Sequence, residues 1–324
     1  MLIWTVLRRL IYSIILVVAV LVLNFLLIHL APGDPADVIA GEMGGATEEV
    51  MASIRKAYGL DQPLYVQLWV YLKNAAGGDL GQSFFYNAPV LDLILSRVGA
   101  TLLLVFTALG FAIVAGTALG VIASRKPTGI VSNLVTVLSV IGYSAPIFWT
   151  GIMLIIVFAS LIPLFPISNM YDVTKDVGPV GYVFDVAHHL VLPAFTLGIV
   201  YLAQYSRLTR ASMLEVLGSD YIRTARAKGV SERKVYGRHA LRNAVLPIIT
   251  IAGLQFGGIV SGAVLVETVF NWPGLGTLAF DSILARDYPT ILGILFFSAV
   301  IVIIANLITD LLYRVADPRI RMAK

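Results

Sequence analysis

Six long apolar segments constrain this chain more than any other feature of its sequence. They lie at residues 10–30, 100–123, 131–163, 191–206, 246–266 and 290–313. A helix needs about 20 mainly apolar residues to cross a bilayer, where only helices and closed barrels satisfy their backbone groups. Charged residues make up only 13% of the chain, against about 25% in soluble domains. We therefore predict an all-α integral membrane protein with six transmembrane helices.

Two of these segments have unusual lengths or flanks. The first follows Arg8-Arg9 and is longer than the apolar region of a secretory signal peptide, so we predict an uncleaved first transmembrane helix. The third is longer than one bilayer crossing requires and contains Pro146. Because proline removes a helical hydrogen bond, we expect either a kink at this residue or a helix end outside the hydrocarbon.

The Lys and Arg residues between the apolar segments are unevenly distributed. With a cytoplasmic N-terminus, 17 of the 23 lie in the cytoplasmic segments, which are 1–9, 124–130, 207–245 and 314–324. The other six lie in 31–99, 164–190 and 267–289, together with most of the acidic residues. Basic residues concentrate on the cytoplasmic side of membrane proteins. We therefore predict a multi-pass protein with both termini in the cytoplasm.

These assignments divide the chain into four parts. The parts are an N-terminal tail and first helix over 1–30, a periplasmic or extracellular insertion over 31–99, a five-helix core over 100–313 that contains the cytoplasmic segment 207–245, and a cytoplasmic tail over 314–324. Within the core, the external segment 164–190 is rich in Pro and Gly, which predicts irregular backbone.

The insertion 31–99 is too long for a simple turn. Thr47 followed by Glu48-Glu49 predicts a helix that runs to Tyr58, and a second helix is predicted from Tyr65 to Asn74 and broken at Gly77-Gly78. The insertion carries five notable aromatic residues, which are Tyr65, Trp69, Tyr71, Phe84 and Phe85. Because linkers rarely hold so many, we expect a docking or lid surface.

The basic segment between the fourth and fifth spans predicts two short helices in water. Ser219 or Asp220 can cap the first helix, and Gly229 can end it in the left-handed conformation. Its short side chains suit a groove on another protein. Ser231 starts the second helix, along which three cations recur every four residues: Lys234, Arg238 and Arg242. We expect this cationic stripe to contact anionic lipid headgroups.

Pairs of glycines four residues apart occur in the second and fifth spans. They are Gly116 and Gly120, Gly253 and Gly257, and Gly258 and Gly262. Such pairs let helix backbones approach closely. Packing inside one chain and packing at a subunit interface remain alternatives.

Several kinds of functional site are missing from the sequence. It has no cysteine, no HExxH pair among its four histidines and no phosphate-binding P-loop sequence. The net charge of +4 follows from membrane topology and does not indicate nucleic-acid binding. Glu267 and Asp310 lie near span ends, where we read them as interfacial residues rather than as the mid-span groups of an ion-coupled carrier.

The segment after Ser219 resembles a known family. It reads YIRTARAKG at 221–229 and RHALRNAVLP at 238–247, and other matching stretches are APGDP at 31–35, AYGLDQPLYVQ at 57–67, GDLGQS at 78–83, VETVFNWPGLG at 266–276, RDYP at 286–289 and DPRIR at 317–321. Together they resemble, end to end, the binding-protein-dependent permeases of ATP-binding-cassette importers, specifically the dipeptide/oligopeptide/nickel subfamily. The general importer motif begins Glu-Ala-Ala, whereas this chain has Arg223-Thr224-Ala225.

The resemblance implies a non-catalytic permease subunit in a bacterial inner membrane. Its implied partners are a second homologous permease, two ATP-binding-cassette ATPases that hold the ATP and Mg, an extracytoplasmic solute-binding protein and membrane lipid; no cofactor is expected on this chain. The implied solute is a di- or oligopeptide, with nickel chelates, glutathione, opines or sugars as alternatives. A secondary carrier and a membrane receptor or scaffold are the competing functions.

The resemblance also implies a group of functional residues, and a separate hypothesis concerns a second group. The residues that couple to the ATPases would be Tyr221, Arg223, Thr224, Ala225, Arg226, Ala227, Lys228 and Gly229. Within that group, Ala225, Ala227 and Gly229 would enter an ATPase cleft. Separately, we expect an outer gate or binding-protein contact at Glu267, Trp272, Pro273 and Gly274. The alternative for this second group is a stable loop anchor with an interfacial Trp.

Overall fold

The computed structural model describes residues 2–30, 47, 52, 61–83, 85–174 and 178–316. The helix predicted from Thr47 to Tyr58 and the tail after residue 316 lie outside these residues. The long helices are α1 Leu2–Leu30, α2 Leu64–Ala76, α3 Val90–Arg125, α4 Ile130–Ser144, α5 Ile147–Ile155, α6 Gly178–Leu217, α7 Asp220–Ala227, α10 Leu246–Phe270, α11 Leu275–Ala285 and α12 Tyr288–Ala316. Between α7 and α10 lie the short helices α8 Glu232–Lys234 and α9 Leu241–Ala244.

Two compact units make up the chain. The first consists of Met1–Gly99 and Leu278–Ile304, and the second of Ala100–Thr277 and Ala305–Lys324. The first unit holds α1, α2 and a small antiparallel hairpin in which Gln82 pairs with Pro89 and Ser83 with Ala88.

Side-chain hydrogen bonds tie the elements of the first unit together. Asn24 of α1 donates to the Leu292 carbonyl at 3.2 Å, and Ser83 of the hairpin donates to Asp287 at 2.6 Å. The predicted helix from Tyr65 to Asn74 is confirmed as α2, and a turn follows it at Gly77. Asn24 is buried inside its own chain, which agrees with the role of intramembrane amides in joining helices.

Glycine lets α3 and α6 of the second unit approach closely. A Cβ at Gly116 would lie 2.8 Å from Tyr205 Cβ, and one at Gly120 would lie 2.5 Å from Thr209 Cβ. Neither distance is sterically allowed, so both positions require glycine. This pair therefore packs inside the chain, which decides between the two alternatives left by the sequence.

The predicted third span is two helices rather than one. Helices α4 and α5, with the π-helical turn Ile156–Leu161 that extends α5, meet at an angle of 105°. Ala145 adopts extended backbone with ψ 133° before Pro146, as the proline ring demands of its predecessor. The predicted kink at Pro146 is confirmed, and its size rules out one straight crossing.

Helix α6 begins earlier than the sequence suggested. The irregular backbone predicted for 164–190 is confirmed for 164–174 and is wrong for 178–190, where Gly178, Pro179 and Gly181 lie in the helix. The helix starts at Gly178, so Pro179 falls in the first turn, where its missing N–H costs no hydrogen bond. Pro193 also lies within the helix.

Among the described residues, three helices are long and apolar enough to cross a membrane: Val90–Arg125, Gly178–Leu217 and Tyr288–Thr309. The number rises to five if each bent pair, Ile130–Leu161 and Leu246–Phe270, counts as one span. Helix α1 contributes a shorter apolar helix, Ile11–Leu27. Helix α11 was not predicted. The structure thus supports a multi-span helical protein, and the number six stays a prediction.

We predict that Gly120→Ala destabilises the protein, because its new methyl group would overlap Thr209 and the Ser206 carbonyl. Overpacking of this kind costs about 1–3 kcal/mol. Gly110→Ala, in the same helix, is the matched control: no described atom lies within 4 Å of a Cβ there. Thermal unfolding in detergent should show a lower Tm for Gly120→Ala and an unchanged or higher Tm for Gly110→Ala. Equal melting of both variants would contradict the close approach.

Candidate coupling helix and buried carboxylate turn

Helix α7 begins and ends where the sequence predicts. Ser219 occupies the N-cap position with extended backbone, and Gly229 has φ +77° after the last turn. The left-handed stop at Gly229 is confirmed. The expected side-chain cap is wrong, since the Ser219 hydroxyl donates to the Val216 carbonyl at 2.5 Å rather than accepting from the first turn of α7.

One face of α7 is fixed to the rest of the chain. Ile222 is fully buried and Ala225 is 9% exposed. Ile222 packs in a cluster with the buried residues Met213, Val235, Ala240 and Ala244. The cluster also includes Val216 and Leu217 at the end of α6. Ala225, which the sequence assigned to the surface that enters an ATPase cleft, instead faces its own chain, because it lies three residues from Ile222 on the same side of the helix.

The rest of α7 and the two residues after it are exposed. The exposed residues among those predicted to couple are Tyr221, Arg223, Thr224, Arg226, Ala227, Lys228 and Gly229. Tyr221 is held in place at its hydroxyl, which accepts a 2.7 Å hydrogen bond from Asn243 of α9. Seven of the eight predicted coupling residues are thus accessible.

An ion pair spans the end of α7. The Arg226 guanidinium donates to both oxygens of Glu232 in α8, at 2.8 Å and 3.2 Å. These hydrogen bonds raise the pKa of Arg226 and lower the pKa of Glu232. Both side chains are solvent-accessible, so the pair contributes little stability. Its bidentate geometry instead restricts how α7 and α8 are placed on either side of Gly229.

The second predicted helix is divided. Only Glu232–Lys234 and Leu241–Ala244 are α-helical, and Val235–Ala240 between them forms a π-helical segment. Lys234, Arg238 and Arg242 are all exposed. Their expected contact with lipid headgroups stays a prediction.

A buried carboxylate organises the turn after α10. Glu267 is fully buried. Thr101 of α3 donates its hydroxyl to Glu267 Oε1 at 2.6 Å, and the Gly276 N–H donates to Oε2 at 2.6 Å. The Thr277 N–H also donates to Oε2, at 3.3 Å. The carboxylate therefore binds the free N–H groups of the first turn of α11, which have no partner within that helix.

The residues around this carboxylate are tightly packed. Trp272 is fully buried, and its indole N–H donates to the Ala100 carbonyl at 2.9 Å. Side chains at Gly274 or Gly276 would overlap the Glu267 carboxylate. Glu267 and Trp272 thus hold the turn from within, which favours the loop-anchor alternative. Pro273 is the half-buried member of the turn, and the gate assignment stays a prediction.

Sequence reasoning missed two residues at these sites. Thr101 lies in an apolar segment, and its partner Glu267 is 166 residues away, so no local pattern relates them. Ile222 could have been found, because it is the one large aliphatic residue in the otherwise polar and small helix 220–227.

Two families match the chain. Residues 116–322 match the family described as binding-protein-dependent transport system inner membrane component, and residues 1–105 match its N-terminal counterpart. The chain belongs to this family. The matched regions contain both sites described above.

Individual relatives are similar over nearly their whole length. The dipeptide transport system permease protein of Escherichia coli strain K12 is 41% identical over 98% of this chain and 99% of its own. The oligopeptide transport system permease protein of Bacillus subtilis strain 168 is 40% identical over 97% of this chain and 98% of its own. The glutathione transport system permease protein of Escherichia coli O6:H1 is 44% identical over 98% of both chains.

A solved structure shares the fold. One chain of the MetNI methionine ABC transporter, in inward-facing conformations, has a TM-score of 0.54 and 18% identity, covering 69% of this chain and 96% of that chain. This chain and the solved one therefore share a fold over about two thirds of the present sequence.

We predict that Glu267→Ala destabilises the protein by about 3 kcal/mol, because the buried N–H of Gly276 and the Thr101 hydroxyl lose their acceptor. Glu267→Gln should lose less, since its carbonyl oxygen still accepts the Gly276 N–H. Thermal unfolding in detergent measures both variants. The assignment of Glu267 as an anchor is wrong if Glu267→Ala melts at the temperature of the unmodified protein.

Proposed function

We propose that the chain is one half of the translocation pathway of an ATP-driven importer of short peptides. A homologous permease supplies the other half, two cytoplasmic ATPases bind ATP and Mg, and an extracytoplasmic binding protein delivers the solute. The chain itself catalyses no reaction. The observation that carries this proposal is α7, a short helix whose buried face is fixed to its own chain and whose other face is free for a partner.

The anchoring of α7 provides a path for mechanical coupling. Ile222 packs against Met213, Val216 and Leu217 at the end of α6, and Val121 of α3 joins the same cluster. Arg125 at the end of α3 also lies 5.8 Å from the ring of Tyr236. A displacement of α7 by the ATPases is therefore transmitted directly to two long spans. Because ATP binds one arrangement of the ATPases more tightly, it shifts the permease between inward-open and outward-open states.

The topology in this proposal places α7 in the cytoplasm. Six spans follow if α1 and each bent pair cross the bilayer once, which leaves both termini inside. The basic residues of 207–245 then lie on the cytoplasmic side. Glu267 and the turn 271–274 lie on the opposite side, where they shape the outer end of the pathway.

Three relatives support the choice of solute. Their names specify dipeptides, oligopeptides and glutathione, at 40–44% identity to this chain. All three solutes are short chains of amide-linked amino acids. We therefore propose short peptides as the solute class, with glutathione as the specific alternative within it.

We predict that Gly229→Val releases the ATPases, because a β-branched residue at φ +77° is strained and would move the end of α7. The measurement is co-purification of the ATPase subunits with the tagged chain from solubilised membranes. Gly81→Val is the matched control, since Gly81 has φ +91° and lies in the insertion, far along the chain from α7.

The control should retain both ATPases although it carries the same kind of backbone strain. If Gly229→Val retains the ATPases and transports as the unmodified chain does, α7 is not the coupling element. Loss of the ATPases from both variants would instead show a general folding defect.

A further inference from the structure

Two amide side chains join α6 to α10 within the apolar part of the second unit. Gln255 Nε2 donates to Gln204 Oε1 at 2.5 Å. Both side chains are half-buried, so the pair is accessible at one side. The remaining acceptor, Gln255 Oε1, is covered and has no hydrogen-bond partner among the described residues. An unpaired buried acceptor is costly, which distinguishes this pair from a fully satisfied contact between helices.

A glycine of α10 leaves an open space next to this pair. Gly258 is exposed, and it lies three residues after Gln255 on α10. Tyr201, three residues before Gln204 on α6, has its hydroxyl 3.9 Å from a Cβ built at Gly258 and the same distance from one built at Gly262. Tyr201, Gln204, Gln255 and Gly258 thus form a shallow polar depression, which we call the amide groove.

The other exposed faces of the spans in this unit have a different character. Most of the large exposed residues on α3 and α4 are apolar, among them Phe106, Val114, Ile122, Leu134, Leu138 and Ile141, although Asn133 and Tyr143 of α4 are also exposed. Such faces suit lipid tails, whereas amide and phenol groups in hydrocarbon keep hydrogen-bonding capacity that lipid cannot satisfy. The amide groove therefore faces water or a polar solute.

We propose that the amide groove is a binding site for the peptide backbone on the translocation pathway. The inference rests on the proposed function and adds the site and its chemistry. Its side chains are neutral, and an amide offers two donors and one acceptor group, while a tyrosine hydroxyl both donates and accepts. These groups match the N–H and C=O groups that every peptide carries, whatever its side chains.

The unpaired oxygen of Gln255 has a specific role in this site. An amide turns about its last side-chain bond without backbone movement, since that torsion is broad. The turn gives up the hydrogen bond to Gln204 and brings Gln255 Oε1 to a peptide N–H in the groove, while Gln204 Oε1 becomes free to accept from the same peptide. Without formal charges the contacts are weak enough for the solute to leave, as conduction through a pore requires.

The competing role of the pair is to hold α6 and α10 together. A purely structural pair can be replaced at both positions by apolar side chains of the same length with little loss, because no buried group is then left unpaired. The double variant Gln204→Met with Gln255→Met makes this replacement. If the pair is a binding site, the double variant should keep its stability but lose uptake, since it lacks both amides that the peptide would contact.

The test is ATP-dependent uptake of radiolabelled trialanine into proteoliposomes that contain the whole complex, with the binding protein at saturation. We expect the maximal uptake rate to fall about tenfold in the double Met variant, the loss produced by one or two missing hydrogen bonds. The melting temperature should stay close to that of the unmodified complex. The matched control is Thr136→Val, which removes a hydroxyl that donates a hydrogen bond to the Ser132 carbonyl within α4. It should leave uptake unchanged.

Gly258→Leu provides an independent variant. The nearest atom to a Cβ at this position is 3.9 Å away, so the leucine side chain begins without a clash and extends over the groove. It should reduce uptake as strongly as the double Met variant does. Uptake within twofold of the unmodified rate in either variant would overturn the proposed site. If the unmodified complex takes up no trialanine or glutathione with ATP, the proposed function itself fails, which is a separate result.

Discussion

Every backbone N–H and C=O group within a bilayer needs a partner inside the protein, and this constraint governs where the chain departs from helix. The break between α4 and α5 lies at Pro146, which has no N–H to satisfy. The break between α10 and α11 contains Pro273, and the carboxylate of Glu267 accepts from the N–H groups at the start of α11. This carboxylate accepts from Thr101 and from the first turn of α11, and Trp272 closes the turn against Ala100.

Helix α7 obeys a different constraint, since it presents its polar residues to water. It is too short to be stable alone. Its stability comes from Ile222, which is buried among residues of α6 and of the segment before α10. The same contact that keeps α7 folded also ties it to the spans. The folding of α7, and the transmission of its movement in the proposed coupling, therefore both depend on Ile222.

Local rules predicted the parts of this fold that depend on local chemistry. The positive φ at Gly229 and the bend at Pro146 follow from the backbone preferences of those residues. The helical start at Gly178 was missed because a stretch rich in Pro and Gly is typical of a loop. The long helix that continues from it, Gly178–Leu217, includes this stretch as its first turns. The direction of Ala225 and the pairing of Thr101 with Glu267 depend on tertiary contacts, since they join residues that are far apart in sequence. The amide groove is of the same kind, because Gln204 and Gln255 are 51 residues apart.

Cross-linking from Ala227 shows whether the exposed side of α7 contacts the proposed ATPases. The chain contains no cysteine, so Ala227→Cys creates a single attachment point in this chain for a thiol-reactive photo-crosslinker. We expect an adduct between this chain and an ATPase subunit in native membranes, identified by mass spectrometry. Ala225→Cys should give little of that adduct, because Ala225 faces its own chain. An efficient ATPase adduct from Ala225→Cys, with none from Ala227→Cys, would show that the exposed side of α7 is not the contact.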